Sequence, residues 1–408
     1  LLQLFDYHFY CQQLQYHLYQ QYKISDRLQA YHEIKLLNQF NQFKAPQLSN
    51  LSHRYLGNPT TQPKSLEETT ILQTVGNELA LKGDIGRFFY RCYYLHKKLD
   101  WQPADRKSSQ SFKEHYFGLQ TRIQLNDSAN CLHMHGEYLR DGHYQWHTTY
   151  EGPLIEWGYH QMRYKPSFLV QHYQGHYRKW DKHFESPKNY QLYGAIRVNL
   201  PHLMLKPHVR ITKVERPIYF QNLPTTTPAS QPNKDYIPQA PPLVIEPRQG
   251  QGHVNLFYLG MDVNLTIFSH FHADNELIFT KKQGPCAGIF RTPQWLINSR
   301  LYYARSLYDG RLDIETGIDL HWHSPYMADG YDPATQQFHI QNEYKVYSYL
   351  LVDLFFNFRI KTFRGFIKLN YLNQHLKFMK GLPGYFSTPL YPGQSRSLDV
   401  GVSWSFFD

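Results

Sequence analysis

The sequence predicts an all-β chain, an antiparallel up-and-down sheet closed into a transmembrane β-barrel of about 16 strands (roughly 14 to 18). Three observations predict it. Apolar and polar residues alternate with period two, in segments close to the ~9–11 residues a tilted strand needs to cross a bilayer. Tight turns alternate with long polar loops, as short periplasmic turns and long extracellular loops do in such barrels. Aromatic side chains make up 16% of the 408 residues, yet no stretch approaches the ~20 apolar residues of a spanning helix. The 19% charged content lies below the ~25% of an ordinary soluble domain, and the aromatic content excludes a disordered chain.

From the N-terminus, residues 14–22 and 28–40 read as a hairpin around Ser25-Asp26, and residues 88–96 as a further strand. The Gln-, Tyr- and His-rich start reads as a polar wall alternating with aromatic interface residues. Phe117, Leu119, Thr121, Ile123 and Leu125 then alternate with Gly118, Gln120, Arg122 and Gln124. Similar alternation marks 131–139, 143–151, 167–178, 190–200, 203–213, 253–265, 295–308 and 365–372. It is clearest in two C-terminal segments. Leu312, Ile314, Thr316, Ile318, Leu320 and Trp322 alternate with Asp313, Glu315, Gly317, Asp319 and His321. Val352, Leu354, Phe356, Phe358 and Ile360 alternate with Asp353, Phe355, Asn357, Arg359 and Lys361.

Asp141-Gly142, Asp309-Gly310 and Pro201-His202 predict tight turns, because Asp-Gly supplies the positive φ angles of a two-residue hairpin. Long loops are expected at 324–336, 373–395 and 221–247, the last with seven prolines. Composition does not change across 221–247, so residues 1–408 read as one barrel with a Pro-rich extracellular loop inside it. The chain opens at Leu1-Leu2-Gln3 without the features of a targeting segment. Either such a segment has been removed or the chain begins partway into a longer protein.

The final segment sets Leu398, Val400, Val402, Trp404 and Phe406 on one face. An apolar face ending on an aromatic residue reads as the strand that barrel assembly machinery engages before closure, since a free strand edge complements another.

The formal charge is +10, with 43 Lys and Arg against 33 Asp and Glu. These basic residues are dispersed, so no nucleic-acid partner is expected. The four cysteines, Cys11, Cys92, Cys131 and Cys286, form no Cys-x-x-Cys pair and read as isolated small residues. No nucleophile elbow, Walker loop, dinucleotide fingerprint or zinc-protease helix is present, so neither an enzyme nor a cofactor is expected. Three His-x-His pairs each put two imidazoles on one strand face: His133/His135, His270/His272 and His321/His323. Cys131, His133, His135 and Glu137 share a face and make a weak metal candidate. A polar wall is the preferred reading, and no metal is expected.

Several stretches of the C-terminal ~120 residues resemble the putative outer-membrane porin family of Bacteroidetes-type bacteria. They include Asn298-Ser299-Arg300-Leu301-Tyr302-Tyr303, Ser324-Pro325-Tyr326-Met327-Ala328-Asp329-Gly330-Tyr331 and Thr388-Pro389-Leu390-Tyr391-Pro392-Gly393-Gln394, closing on Phe406-Phe407-Asp408. A weaker match runs through Lys165-Pro166-Ser167-Phe168-Leu169 and His176-Tyr177-Arg178-Lys179-Trp180-Asp181. The resemblance implies a barrel in the bacterial outer membrane and brings no functional residues with it. Its surroundings would be outer-membrane lipid and lipopolysaccharide, and its cargo small polar solutes diffusing passively. A binding, receptor or scaffold role without an open pore is the alternative.

Alternation also assigns faces. Leu192, Ile196, Val198, Val209, Ile211, Leu259, Val263, Ile318, Leu354, Phe358, Ile367 and Val402 are expected to face lipid. Trp146, Trp322 and Trp404 are expected at the interfaces. Arg122, Arg197, Lys206, Arg210, Arg300, Asp353, Arg359, Lys361 and Lys368 are expected to line the lumen. Among inward positions these basic residues outnumber Asp262, Asp313, Glu315, Asp319 and Asp353, which predicts a weak anion preference.

Overall fold

A computed structural model describes residues 8–45, 66–102, 109–125, 130–175, 179–223, 244–332, 335–374, 386–389 and 391–405. The described chain is almost entirely strand. Its first half forms β1 (His8–Ser25), β2 (Leu28–Ala45), β3 (Leu66–Ile85), β4 (Phe88–Gln102), β5 (Gln110–Gln124), β6 (Cys131–Leu139), β7 (His143–Glu151) and β8 (Ile155–Arg163). A helical turn, α1 (Phe168–Gln171), leads to the small hairpin β9 (His172–Gln174) and β10 (Lys179–Asp181). The chain continues through β11 (Lys188–Ile196), β12 (Val198–Leu200), β13 (Leu203–Glu215), β14 (Ile218–Leu223), β15 (Val244–Gln249), β16 (His253–Ile267) and β17 (Phe271–Gln283). Next come β18 (Trp295–Leu307), β19 (Leu312–His323), β20 (Tyr326–Met327), β21 (Gly330–Asp332), β22 (Gln337–His339) and β23 (Lys345–Val346). The last strands are β24 (Leu350–Ile360), β25 (Phe363–Asn370), β26 (Phe386–Thr388), β27 (Tyr391–Pro392) and β28 (Ser397–Trp404).

Eighteen of these strands make one antiparallel sheet in which each long strand pairs with its sequence neighbours, an up-and-down meander. β11 and β12 keep a single register against β13, with Ala195 opposite His208 and Val198 opposite Leu205. They are therefore one stave, interrupted at Arg197. Among the described residues β1 pairs with β2 and β28 with β25, and no pairing joins β1 to β28.

The two ends of the sheet differ. At one end the turns are tight, at residues 26–27, 86–87, 201–202 and 361–362. The other end is where β8 leads to β11, β13 to β16, β17 to β18, β19 to β24 and β25 to β28, across longer stretches of sequence. The Asp309-Gly310 turn belongs to the tight end, with φ of 54° and 81° at those residues. The Asp141-Gly142 turn, tight as expected, lies at the loop end instead, where Gly142 N–H donates to Leu139 O at 2.9 Å.

Three long strands depart from the sequence reading. β3 places Ile71, Leu72, Val75 and Leu79 at spacings that mimic a helix, so period two is hidden there. β8 is interrupted by Gly158, and β17 carries Asp274, Asn275 and Glu276 in mid-strand. Conversely, the strand expected over 167–178 is a correction. It is α1 and β9, part of a loop, because Pro166 and the Ser167 cap start a helical turn that breaks the extended run.

Six pairs of neighbouring strands are joined by a ring laid over a glycine. Tyr93 faces Gly118, Trp146 Gly136, Tyr193 Gly158, His208 Gly260, Phe358 Gly365 and Phe366 Gly401. A Cβ at Gly118 would come within 1.9 Å of the Tyr93 ring, so the aromatic takes the volume the glycine leaves.

Two clusters of buried residues lie among the described residues. Tyr31, Ala80 and Tyr93 pack together on the polar face, with Leu95 against them. Val214, Val254, Leu256 and Cys286 form a second cluster at the loop end. The loops above it pack on one another. Trp180 stacks on Tyr173 at 4.5 Å, meets Phe220 edge-on at 5.9 Å and donates to Val170 O at 3.1 Å. Ile340 N–H donates to Phe220 O, and Lys182 pairs with Glu246 at 2.9 Å.

Candidate functional site

In a strand, residues two apart share a face, and residues opposite one another across a pair share it too. The registers therefore divide the sheet into two faces. One carries exposed Leu192, Ile196, Val198, Val209, Ile211, Leu259, Leu354, Ile367 and Val402, with Val263, Ile318 and Phe358 at the same parity. Trp146 and Trp404 are exposed on this apolar face, and Trp322 shares its parity. Leu398 and Val400 also lie here, whereas Phe406 lies outside the described residues. Arg122, Arg197, Lys206, Arg210, Arg300, Asp353, Arg359 and Lys368 fall at the parity of the other face, where charge is concentrated. Lys361 stands in the tight turn after β24, with φ of 53°, and not along the strand wall.

On the C-terminal staves the polar face is a lateral charge ladder. Asp274, Arg300, Asp319 and Asp353 stand directly opposite one another on β17, β18, β19 and β24. Arg300 pairs with Glu315 and lies over the Phe355 ring at 4.1 Å. Lys368 bridges Asp319 and Asp353, both at 3.1 Å. Arg359 pairs with Asp313 at 2.7 Å, and Lys206 with Glu156 at 2.8 Å. A recess of about 250 Å³ in this wall is lined by Asp262, Asp274, Glu276, Arg300 and Asp319. Arg122 has the Phe89 ring at 5.5 Å, and Arg197 and Arg210 make no ion pair among the described residues.

The N-terminal staves carry a second network. Glu78, only 6% exposed, accepts from Tyr31 and pairs with Arg91, whose Nε donates to the Tyr31 hydroxyl at 2.5 Å. Arg91 also stacks on Tyr93, whose hydroxyl donates to Glu137 at 2.6 Å and lies 2.9 Å from His135 Nε2. Cys131, His133, His135 and Glu137 share the polar face as expected from β6, but they do not converge. Alternate residues along a strand stand ~6.6 Å apart, His133 lies opposite Arg122, and Tyr93 occupies His135 and Glu137. Among the described residues no group of three or more His, Cys, Asp or Glu is placed to hold a metal ion. The four cysteines are unbridged.

At the loop end β4 to β8 and residues 164–172 enclose a cavity of about 570 Å³. Phe168 is its aromatic hub, 4.8 Å from Trp101, 4.7 Å from Phe112 and 4.7 Å from His172. Glu114 and Glu137 enter from the strands, and Lys165 from the loop. Elsewhere among the loops burial shifts titrating groups. It pushes His339, 5% exposed, down to about 4, and raises Asp329 against the opposing pull of Arg291 and Lys282.

Sequence reasoning missed Glu78, Asp274 and Glu276 because it missed β3 and β17, and missed Phe168 by placing it on a strand. Arg91 and Tyr93 alternated on a recognised strand, but their partners were on β3 and β6, beyond any local pattern.

The sequence profile of the family described as putative porin matches residues 4–408. The chain belongs to this family. It is an outer-membrane protein, as the family indicates. Comparison with the curated proteins found no match. The chain is similar in structure to a copper transporter, OprC, with a TM-score of 0.67 and 12% identity over 98% of this chain and 68% of that one. It is similar to the ferric enterobactin receptor PfeA from Pseudomonas aeruginosa (a complex with BCV-L6), with a TM-score of 0.57 and 12% identity, over 86% of this chain and 58% of that one. It also resembles the siderophore receptor PirA from Acinetobacter baumannii, with a TM-score of 0.58 and 9% identity, over 93% of this chain and 62% of that one. The chain thus spans less than two thirds of both receptors. At these identities the likeness concerns the fold, a many-stranded antiparallel sheet similar to outer-membrane barrel receptors.

Proposed function

We propose that this chain forms a closed outer-membrane barrel that conducts small polar solutes by passive diffusion. The observation that carries the reading is the division of the sheet. Aliphatic residues are exposed on one face of successive staves, and ion pairs crowd the other. An apolar outer band facing lipid and a polar interior is the arrangement a bilayer demands of a barrel. Closure supplies partners for every backbone group at the sheet ends. The surroundings are outer-membrane lipid and lipopolysaccharide, with the β28 edge offered to the assembly machinery.

The anion preference is narrower than the residue count suggests. Lys206, Arg300, Arg359 and Lys368 are each paired with carboxylates, so their charge is locally balanced. Arg122, Arg197 and Arg210 are the residues left to attract anions. Conductance of the purified protein in planar bilayers, with reversal potentials across a salt gradient, tests both statements. Well-folded protein without channels would overturn the diffusion reading. A receptor role is the second reading, favoured by the loop-end cavity, which is built like a binding site.

A further inference from the structure

We propose that the loop-end cavity formed by Trp101, Phe112, Phe168, Glu114, Glu137 and Lys165 binds a short neutral oligosaccharide. Its volume of about 570 Å³ lies within the ~300–1,000 Å³ of small-ligand sites. Phe112 and Phe168, half-buried and 4.7 Å apart with Trp101 packed behind them, offer apolar ring surface of the kind that packs against the C–H faces of sugar rings. The polar groups are few and held in place. Glu114 accepts from Tyr116 at 2.6 Å, and Glu137 accepts from Tyr93 at 2.6 Å and from Gln145 at 3.3 Å. A carboxylate oxygen has two lone pairs, so each can still accept from a ligand hydroxyl.

Charge narrows the ligand class. The carboxylates of Glu114 and Glu137 are matched by Arg163 and by Lys165, whose ammonium is 3.9 Å from Glu114. A net ion of either sign gains nothing from such a lining. A purely apolar solute would strip water from the two carboxylates without replacing it. A molecule with apolar ring faces and many hydroxyls satisfies both parts of the wall. The inference deepens the channel reading by naming a solute class at the loop-side mouth, and rests on that reading for passage of the solute.

The test is calorimetric titration of the full chain in detergent with maltotriose, xylotriose and chitotriose, beside conductance of the same preparation. At least one trisaccharide should bind with one site per chain. Phe112→Leu, which removes an aromatic face, and Glu114→Gln, which removes a charged acceptor, should each weaken it about tenfold. Should Phe112→Leu fail to fold, Glu114→Gln carries the comparison. Absence of binding at millimolar trisaccharide, equal affinity in the variants, or preference for phenol or a neutral tripeptide would overturn the assignment. Channels that conduct without binding would sink the site alone, and binding without conductance would sink the channel alone.

Discussion

The ammonium of Lys368 stands 3.1 Å from Asp353 Oδ2, diagonally across β24 and β25, and Asp353 is only 7% exposed. The same ammonium reaches Asp319 at 3.1 Å, so one cation bridges two carboxylates on the polar face. Removing it leaves buried Asp353 without a cation among the described residues, while Asp319 keeps only the guanidinium of Arg300 at 3.9 Å. Lys368→Met should cost about 1–3 kcal/mol in equilibrium unfolding from micelles. It should also move the reversal potential toward cations.

Arg122, Arg197 and Arg210 lack carboxylate partners among the described residues, unlike the ladder arginines. Replacing all three with Gln should lower the anion-to-cation permeability ratio by about a factor of two. The change is modest because the Debye length is ~8 Å at physiological salt. Replacing the paired Arg359 alone should leave the ratio closer to the parent value. Bilayer recordings in a salt gradient compare the two.

Leu354 is exposed on the apolar face of β24, between Asp353 and Phe355, which lie on the polar face. Leu354→Arg should destabilise the folded protein by about 2–4 kcal/mol if the position lies at the bilayer midplane, and by less toward the interfaces. A denaturant titration in lipid vesicles measures it, and a neutral outcome would assign this face to water.

Gly118 lies beneath the Tyr93 ring, and the Tyr93 hydroxyl reaches both Glu137 and His135. Gly118→Val should displace the ring, break those bonds and cost about 1–3 kcal/mol. Gly142 has open space around its missing Cβ, but its φ of 94° strains other residues. Gly142→Ala should therefore weaken only the local turn, visible as faster hydrogen exchange there.

His339 is buried in the β21–β22 hairpin, where desolvation lowers its pKa to about 4. An ordinary histidine titrates near 6.5. Because the folded value is the lower one, the neutral ring's contribution is complete above pH ~6.5. It is lost as pH falls from there toward 4, by roughly 3 kcal/mol in all. Limited proteolysis of the loop layer should accelerate over that window, and His339→Gln should flatten the dependence.

Local alternation makes much of the sheet legible in the residue order itself. The faces of Leu354 and Asp353, or of Arg210 and Ile211, follow from period two alone, because neighbouring side chains on a strand must point to opposite sides. The signal fails where composition overrides it. In β17, Asp274 and Glu276 alternate with Asn275, leaving no apolar contrast to read. At 167–178 a run of apolar and aromatic residues with an extended pattern folds into a helical turn whose Phe168 seats against Trp101.

The candidate sites are less legible, for a related reason. Period two rightly places Cys131, His133, His135 and Glu137 on one face, but a shared face is not a shared centre. Spacing along the strand keeps them apart, and Tyr93, from a different hairpin, takes two of them.

By itself the sequence determined an all-strand chain with one apolar and one polar face, tight turns at Asp309-Gly310 and Pro201-His202, and the basic residues of the polar face. Those properties depend on neighbours a few residues away, which the chain's own stereochemistry controls. Only the tertiary structure decided which charges meet. Lys368 and Asp319 lie 49 residues apart, and a slip of one residue in either intervening register would send one to the opposite face. Tertiary structure also built the cavity around Phe168, since its walls come from strands and a loop far apart in sequence. Pairing energy is non-local, so no window of sequence contains it.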